Sequence, residues 1–287
     1  MRGRVIAAIH GKFKVYDGTS FYEVGLKGNV RYFTRNIAVG DYVYFNEKTL
    51  IIEKLEPAFN RLIRPRVHNI DQLLIVMSIK EPDFSLLLVE TFLTYAHYVE
   101  KIKPVVIISK IDLASKEEIF EQTTALSKLG VPYYLVDNLN EQGIEEVREL
   151  LSGQTSTLMG QTGVGKSALI NALYPELDRT TGEISIKGGR GRHTTREVIL
   201  FPLGDDTYLS DTPGFSSFTL PLFQDELIEH YPGIRNYLGK CYFNDCQHIS
   251  EEQCAVKDAV ARGDISTISY ENYVKIYKEL PRRKEQY

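Results

Sequence analysis

The chain has 287 residues, 43% of them hydrophobic and 25% charged, the balance of a folded globular protein and not of a disordered one. No apolar run reaches the roughly 18 residues of a membrane-spanning helix. The basic start Met1-Arg2-Gly3-Arg4 is followed by an apolar stretch that breaks at His10, so no signal peptide is read and a cytoplasmic location is expected. The net charge of −4 hides an asymmetry, because residues 1–68 hold 12 Lys/Arg against 6 Asp/Glu and the remainder 22 against 32. A basic first quarter on an acidic chain points to one unit that meets a polyanion.

Taken in order, residues 1–56 read as short strands. Val5–Ile9, Lys12–Tyr16 and Thr19–Val24 are separated by His10-Gly11 and Asp17-Gly18, and Asp-Gly between β-rich runs signals a hairpin. Val39–Phe45 and Thr49–Glu53 continue the pattern beyond the basic residues Arg31 and Arg35. So many short strands in so short a segment suggest a small barrel, with an OB-like, oligonucleotide-binding barrel one candidate. The proline- and arginine-rich stretch from Glu56 to Arg66 reads as a linker.

Beyond it the pattern alternates between strand and helix. Leu73–Met77 and Val105–Ile108 are solid apolar runs, as parallel strands buried on both faces are. Between them Leu86, Val89, Phe92, Leu93, Ala96 and Val99 recur at helical spacing. A helix over 115–129, a strand at Pro132–Val136 and a helix over 143–151 lead to Thr157-Leu158-Met159. Such βαβ alternation predicts a parallel sheet that binds its ligand at the carboxyl ends of the strands.

Gly160-Gln161-Thr162-Gly163-Val164-Gly165-Lys166-Ser167 matches G-x-x-x-x-G-K-[ST] between a predicted strand and a helix that runs from Ala168 to Leu173. Its backbone N–H groups and the helix start suit phosphates. Lys166 is expected on the β- and γ-phosphates and Ser167 on Mg²⁺. Ser109-Lys110-Ile111-Asp112 follows a strand and resembles the Asn-Lys-x-Asp guanine motif. There the aspartate accepts from guanine N1–H and the 2-amino group, which adenine lacks. Ser109 stands in place of the usual Asn, so a brace between loops is expected to be shortened or lost. Asp211-Thr212-Pro213-Gly214 matches the D-x-x-G element, with Asp211 holding Mg²⁺ through water and the Gly214 N–H meeting the γ-phosphate. In the Gly-rich segment between, Thr194 or Thr195 is the expected second Mg²⁺ ligand. Phe215 follows Gly214 where many GTPases carry a water-orienting Gln, which leaves His193 as the nearest catalytic candidate beside Lys166 and Thr195.

All three cysteines fall in Cys241-x4-Cys246-x-His248-x5-Cys254, an expected closed Cys₃His zinc shell of structural role, in a segment otherwise read as helical and too poor in apolar residues for a firm core. The motif order is base motif, phosphate loop, threonine switch, D-x-x-G. With a β-unit ahead and the cysteine cluster behind, the whole chain resembles the bacterial ribosome small subunit-dependent GTPases, the RsgA/YjeQ/YloQ family. The resemblance rests on Gly160–Ser167, Gly191-Arg192-His193-Thr194-Thr195, Asp211–Phe215 and the Cys₃His quartet.

That resemblance implies an OB-fold barrel (1–64), a circularly permuted α/β P-loop G domain (65–219) and a helical zinc-binding unit (220–287). It also implies GTP hydrolysis stimulated by the small ribosomal subunit, binding of 16S rRNA, a role late in subunit maturation, and a part for His193. A monomer is expected. Where the family carries a Ser-Ala base loop, this chain reads Asp137-Asn138 after Leu135-Val136. Residues expected around GTP are Ser109 to Asp112, Gly160 to Ala168, Thr194, Thr195, Asp211 and Gly214.

Overall fold

The computed structural model describes residues 1–9, 11–26, 37–175, 177, 198–211 and 218–283, with Ile9 and Asp211 described by backbone alone. Strands β1 (Arg2–Ile9), β2 (Lys12–Tyr16), β3 (Phe21–Val24), β4 (Tyr42–Asn46) and β5 (Ile51–Leu55) form an antiparallel sheet in the order β3-β2-β1-β4-β5. The sheet closes on itself through a parallel bridge between Gly25 and Ile51, where Gly25 N donates to Leu50 O and Ile52 N to Gly25 O, both at 2.9 Å. Period-2 alternation turns Val43 and Phe45 inward beside Val5, Phe13, Val15, Val24 and Ile52, while Tyr42 and Tyr44 face out. This is a small barrel, as the strand pattern predicts, and it has the OB-like form that is one candidate for it.

The stretch read as a linker is partly packed. β6 (Arg61–Leu62) pairs with β7 (Val67–His68), and Leu62 and Val67 are buried at 1% and 0% exposure. The physical reason is tertiary. Asn60, itself buried, donates to the carbonyls of Ile70 and Lys101, and Tyr95 Oη accepts from Ile63 N and Arg64 N. Arg4 then ties the barrel to the next unit: its buried guanidinium donates to Thr155 Oγ1 at 2.6 Å and Asn69 O at 2.7 Å and stacks over Tyr208.

The central sheet contains β8 (Gln72–Ser78), β9 (Lys103–Ser109), β10 (Tyr133–Leu135), β11 (Thr155–Met159), β12 (Ile199–Pro202) and β13 (Tyr208–Asp211), in the order β10-β9-β8-β11-β13-β12. All neighbours are parallel except β12, which runs antiparallel to β13. Every residue of β8 is buried, which accounts for its unbroken apolar run. Helices α1 (Leu86–Val99), α2 (Lys116–Leu129) and α3 (Ile144–Leu151) connect the parallel strands β8, β9, β10 and β11, and α4 (Lys166–Leu173) follows β11. The carboxyl ends of β11, β9, β10 and β13 therefore deliver Gly160, Lys110, Val136 and Asp211 to one edge.

Helix α1 is buried over eight consecutive residues, Val89 to Ala96, because it is covered on both sides. One side meets the sheet. The other meets the C-terminal region, which contains α5 (Leu227–His230), α6 (Ala255–Arg262) and α7 (Thr267–Glu279). Contrary to the expectation of a weak core, Tyr231, Ile234, Val256, Tyr273 and Ile276 are buried there and continuous with the central core. A count of local apolar residues misses this, because α1 supplies half of the interface.

At the centre of that interface sits Glu90, fully buried, with Oε2 accepting from Tyr231 Oη at 2.9 Å and Asn272 Nδ2 at 2.6 Å, and Oε1 without a partner. Burial raises its pKa above the ordinary carboxyl value, against the lowering effect of its hydrogen bonds. The folded form thus holds the proton more tightly than the unfolded chain. Its contribution is fully present below the ordinary carboxyl pKa and is lost as pH rises through the raised value. Glu90→Gln is expected to raise the melting temperature at pH 8 by a few degrees, roughly 1 kcal/mol, with the gain vanishing toward pH 4. Glu90→Ala should lower it at both, since Asn272 loses its acceptor, Tyr231 keeps only Ser269 O, and a cavity opens in the interface. Thermal melts across pH check both.

Candidate nucleotide site and metal centre

The phosphate loop leaves β11 at Met159 and enters α4 at Lys166. A β-carbon on Gly160 would stand 2.2 Å from Val76 O of β8, so only glycine lets the loop start this close to the sheet. Gly163 and Gly165 have φ of +88° and +91°, in the left-handed region. The loop curls around its own lysine, whose Nζ donates to Gly160 O and Gln161 O, both at 2.8 Å, with the residue only 7% exposed. Gly165 offers no side-chain cap to α4, so the N–H groups of its first turn are available to an anion. Ser167 and Ala168 are exposed on that turn, as are Thr162 and Gly163 in the loop, whereas Val164 is buried.

The loop after β9 alternates in and out. Ser109 is buried, Lys110 takes a left-handed conformation (φ 58°, ψ 39°), Ile111 is buried and Asp112 is exposed in a short 3₁₀ turn. The interloop brace is kept, contrary to the expectation from a serine at 109: Ser109 Oγ donates to Val164 O at 2.5 Å. The main chain brings the strands close enough for a hydroxyl to span the gap. Lys110 Nζ donates to Glu81 O. A capping box of Ser115 and Glu118 then starts α2 directly behind the turn.

The loop after β10, where the resembling family carries its Ser-Ala base loop and this chain reads Asp137-Asn138, holds no site residue predicted from sequence, and the topology brings it to the same edge. Asp137 Oδ1 accepts from Leu139 N at 2.9 Å and Oδ2 from Asn140 Nδ2 at 2.5 Å, and the Asn140 amide above all holds its carboxyl below the usual range. Asn138 lies against Gly165, where a β-carbon would meet Asn138 Nδ2 at 3.4 Å and Ser109 Oγ at 3.7 Å. The signal available in sequence was position, directly after the third apolar strand of the parallel set, together with the resemblance that sets a base loop there. Asp211 ends β13, beside β11 through the register Thr157↔Ser210. His193, Thr194, Thr195, Thr212, Pro213, Gly214 and Phe215 lie outside the described residues.

In the C-terminal region Cys241, Cys246, His248 and Cys254 meet, with all their ligand atoms within 4.8 Å of one another. His248 Nδ1 stands 3.4, 3.3 and 3.3 Å from the sulfurs of Cys241, Cys246 and Cys254. A tetrahedral ion with bonds of about 2.0–2.3 Å sets such donors roughly 3.5–3.8 Å apart, so the cluster fits one cation with little adjustment. Burial pushes the Cys246 thiol up to about 12, so this thiol keeps its proton unless a cation displaces it. The four residues could hold a metal ion, and three thiolates with one imidazole leave no position open.

A P-loop with a lysine-bearing base loop earlier in the chain, both on one edge of a parallel sheet, defines a GTPase G domain of circularly permuted order. The RsgA GTPase family model matches residues 55–221. The chain is 38% identical to the small ribosomal subunit biogenesis GTPase RsgA of Halalkalibacterium halodurans, over 97% of each protein. It is 39% identical, over the full length of both, to the small ribosomal subunit biogenesis GTPase RsgA 2 of Listeria monocytogenes. Among solved structures it resembles YjeQ from Thermotoga maritima (TM-score 0.80, 32% identity, 99% of each chain). It also resembles YloQ, described as a circularly permuted GTPase (TM-score 0.77, 30% identity, 100% of this chain and 96% of that one). The chain belongs to the RsgA GTPase family.

Proposed function

We propose that this protein hydrolyses GTP to GDP and phosphate on the small ribosomal subunit, binding its 16S rRNA late in maturation, and that the subunit stimulates the reaction. The observation that carries the reading is the convergence of the Gly160–Ser167 loop, the Ser109–Asp112 loop and Asp211 on one sheet edge, in a chain whose full-length relatives are named for small-subunit biogenesis. In this reading Lys166 leaves its two carbonyl partners for the β- and γ-phosphate oxygens, and the first-turn N–H groups of α4 hold the phosphates. Asp112 accepts from the guanine N1–H and 2-amino groups, with the Lys110 stem against the base. Ser167, a threonine at 194 or 195, and Asp211 through water hold Mg²⁺, which when bound supplies charge neutralisation at the phosphates. Gly214 meets the γ-phosphate, and His193 orients the attacking water.

The barrel supports an RNA partner. Arg2 lies over Tyr42 at 4.1 Å while pairing with Glu56, Lys54 stands by Tyr44 at 5.7 Å, and Tyr44 is 38% exposed, so cations and aromatic rings adjoin on β1, β4 and β5. The Cys₃His site is read as structural zinc and the units as 1–64, 65–219 and 220–287. Among the described residues no helix is long and apolar enough to cross a membrane, and a cytoplasmic monomer fits the reading. The test is GTP turnover with and without purified subunits. Stimulation of at least about tenfold by the small subunit and none by the large one is expected. Equal rates with either subunit, or with none, would overturn the proposal.

A further inference from the structure

Three loops meet at one glycine. Gly165 precedes the phosphate-loop lysine with φ +91°. A β-carbon there would touch Asn138 Nδ2 at 3.4 Å from the β10 side and Ser109 Oγ at 3.7 Å from the β9 side. The Ser109 hydroxyl has a single proton, and it is committed to Val164 O at 2.5 Å in preference to Met77 O at 3.3 Å. Ser109 therefore braces the phosphate loop but has no donor left for a base. Asn138 brings a carboxamide to the same spot, and its Oδ1 is enclosed without a partner. An enclosed acceptor between two ligand-facing loops is an arrangement that a bound group or ordered water completes.

We propose that Ser109 and Asn138 act as one positioning unit for the nucleobase, in which the small hydroxyl at 109 and the carboxamide at 138 divide a job between two loops. The inference rests on the guanine-nucleotide reading above. Each side chain's size is then conditional on the other. A carboxamide at 109 would enter the space that Asn138 occupies, and a methyl at 138 would leave the base loop unsupported against Gly165. Residues that share a space in this way deviate from additivity.

The test measures GDP and ADP affinity of the full-length protein with fluorescent nucleotides, for the natural chain, Asn138→Ala, Asn138→Asp, Ser109→Asn and Ser109→Asn/Asn138→Ala. ADP carries the same phosphates as GDP, so the ratio of the two isolates the base pocket from the phosphate loop. Each single variant is expected to weaken GDP roughly tenfold and ADP far less, with the double variant returning to within about threefold of the natural chain. A double variant whose loss equals the product of the single losses, or single variants with unchanged GDP-over-ADP preference, would overturn the inference. Should Asn138→Ala melt below the assay temperature, the isosteric Asn138→Asp and the double variant decide. A natural chain with no preference for GDP would instead remove the guanine reading itself.

Discussion

Lys166→Ala is expected to lower GTP turnover by at least about a hundredfold, the scale seen when a preorganised donor to a reacting oxygen is lost. The ammonium is nearly enclosed by its own loop and already bonded to Gly160 O and Gln161 O, so it is held where incoming phosphates would replace those two carbonyls. Alanine leaves both carbonyls facing the phosphate position without the intervening cation, which turns attraction into repulsion. Lys166→Arg should fare little better, because a planar guanidinium does not fit a ring shaped around a compact ammonium. Single-turnover phosphate release, with a thermal melt to verify folding, provides the measurement. Turnover within twofold of the natural chain would mean that this loop is not the phosphate site.

Loss of metal binding at the proposed Cys₃His site should have the second large effect. Cys254→Ser, or a strong chelator on the natural chain, is expected to leave the proposed Cys₃His metal site without an ion and to lower the melting temperature by roughly 10 °C, corresponding to a loss of about 3–4 kcal/mol. Cys254 is wholly buried and directly precedes α6, while Tyr270 and Tyr273 donate from α7 to His248 O and Gln247 O. The ligand loop and two helices thus share one anchor. The effect stays below that of an isolated zinc finger because Tyr231, Tyr273 and Ile276 keep their contacts in the common core. Metal content by mass spectrometry and calorimetric melting test this together. An unchanged melt in metal-free protein would show the thiols to be ordinary core side chains.

These effects bear on how the nucleotide site and the C-terminal region communicate. Beyond Asp211 the described chain resumes at Phe218, whose ring packs against Phe92 and Tyr95 of α1 at 5.3 and 5.1 Å. Glu90 of the same helix receives Tyr231 and Asn272 from the C-terminal region. One helix thus bears both the return of the chain from the sheet edge and the polar centre of the docking interface. A disturbance at Glu90 should be felt first as loosened docking, which makes its pH-dependent melt a direct probe of that interface.

Local chemistry was enough for the elements whose signals are periodic or motif-borne. The inward Val43 and Phe45, the unbroken apolar β8 and β9, the glycines of the phosphate loop and the Cys₃His spacing each carry their physical reason within a few residues. The sequence by itself therefore determined a small β-barrel, whose OB-like form the resemblance implied, the parallel sheet, the permuted motif order and the Cys₃His cluster. Tertiary structure alone decided the rest. It turned part of an apparent linker into a half-buried hairpin, because Asn60 within it reaches Lys101 O and the distant Tyr95 accepts from Ile63 N and Arg64 N. It made Glu90 the buried centre of an interface, since a helix covered on both sides has no solvent face left for a carboxylate. It also let Ser109 reach Val164 and brought Asn138 to Gly165. Those contacts join residues tens of positions apart, so they depend on how closely β9, β10 and β11 bring their loops together, a distance that no local pattern encodes.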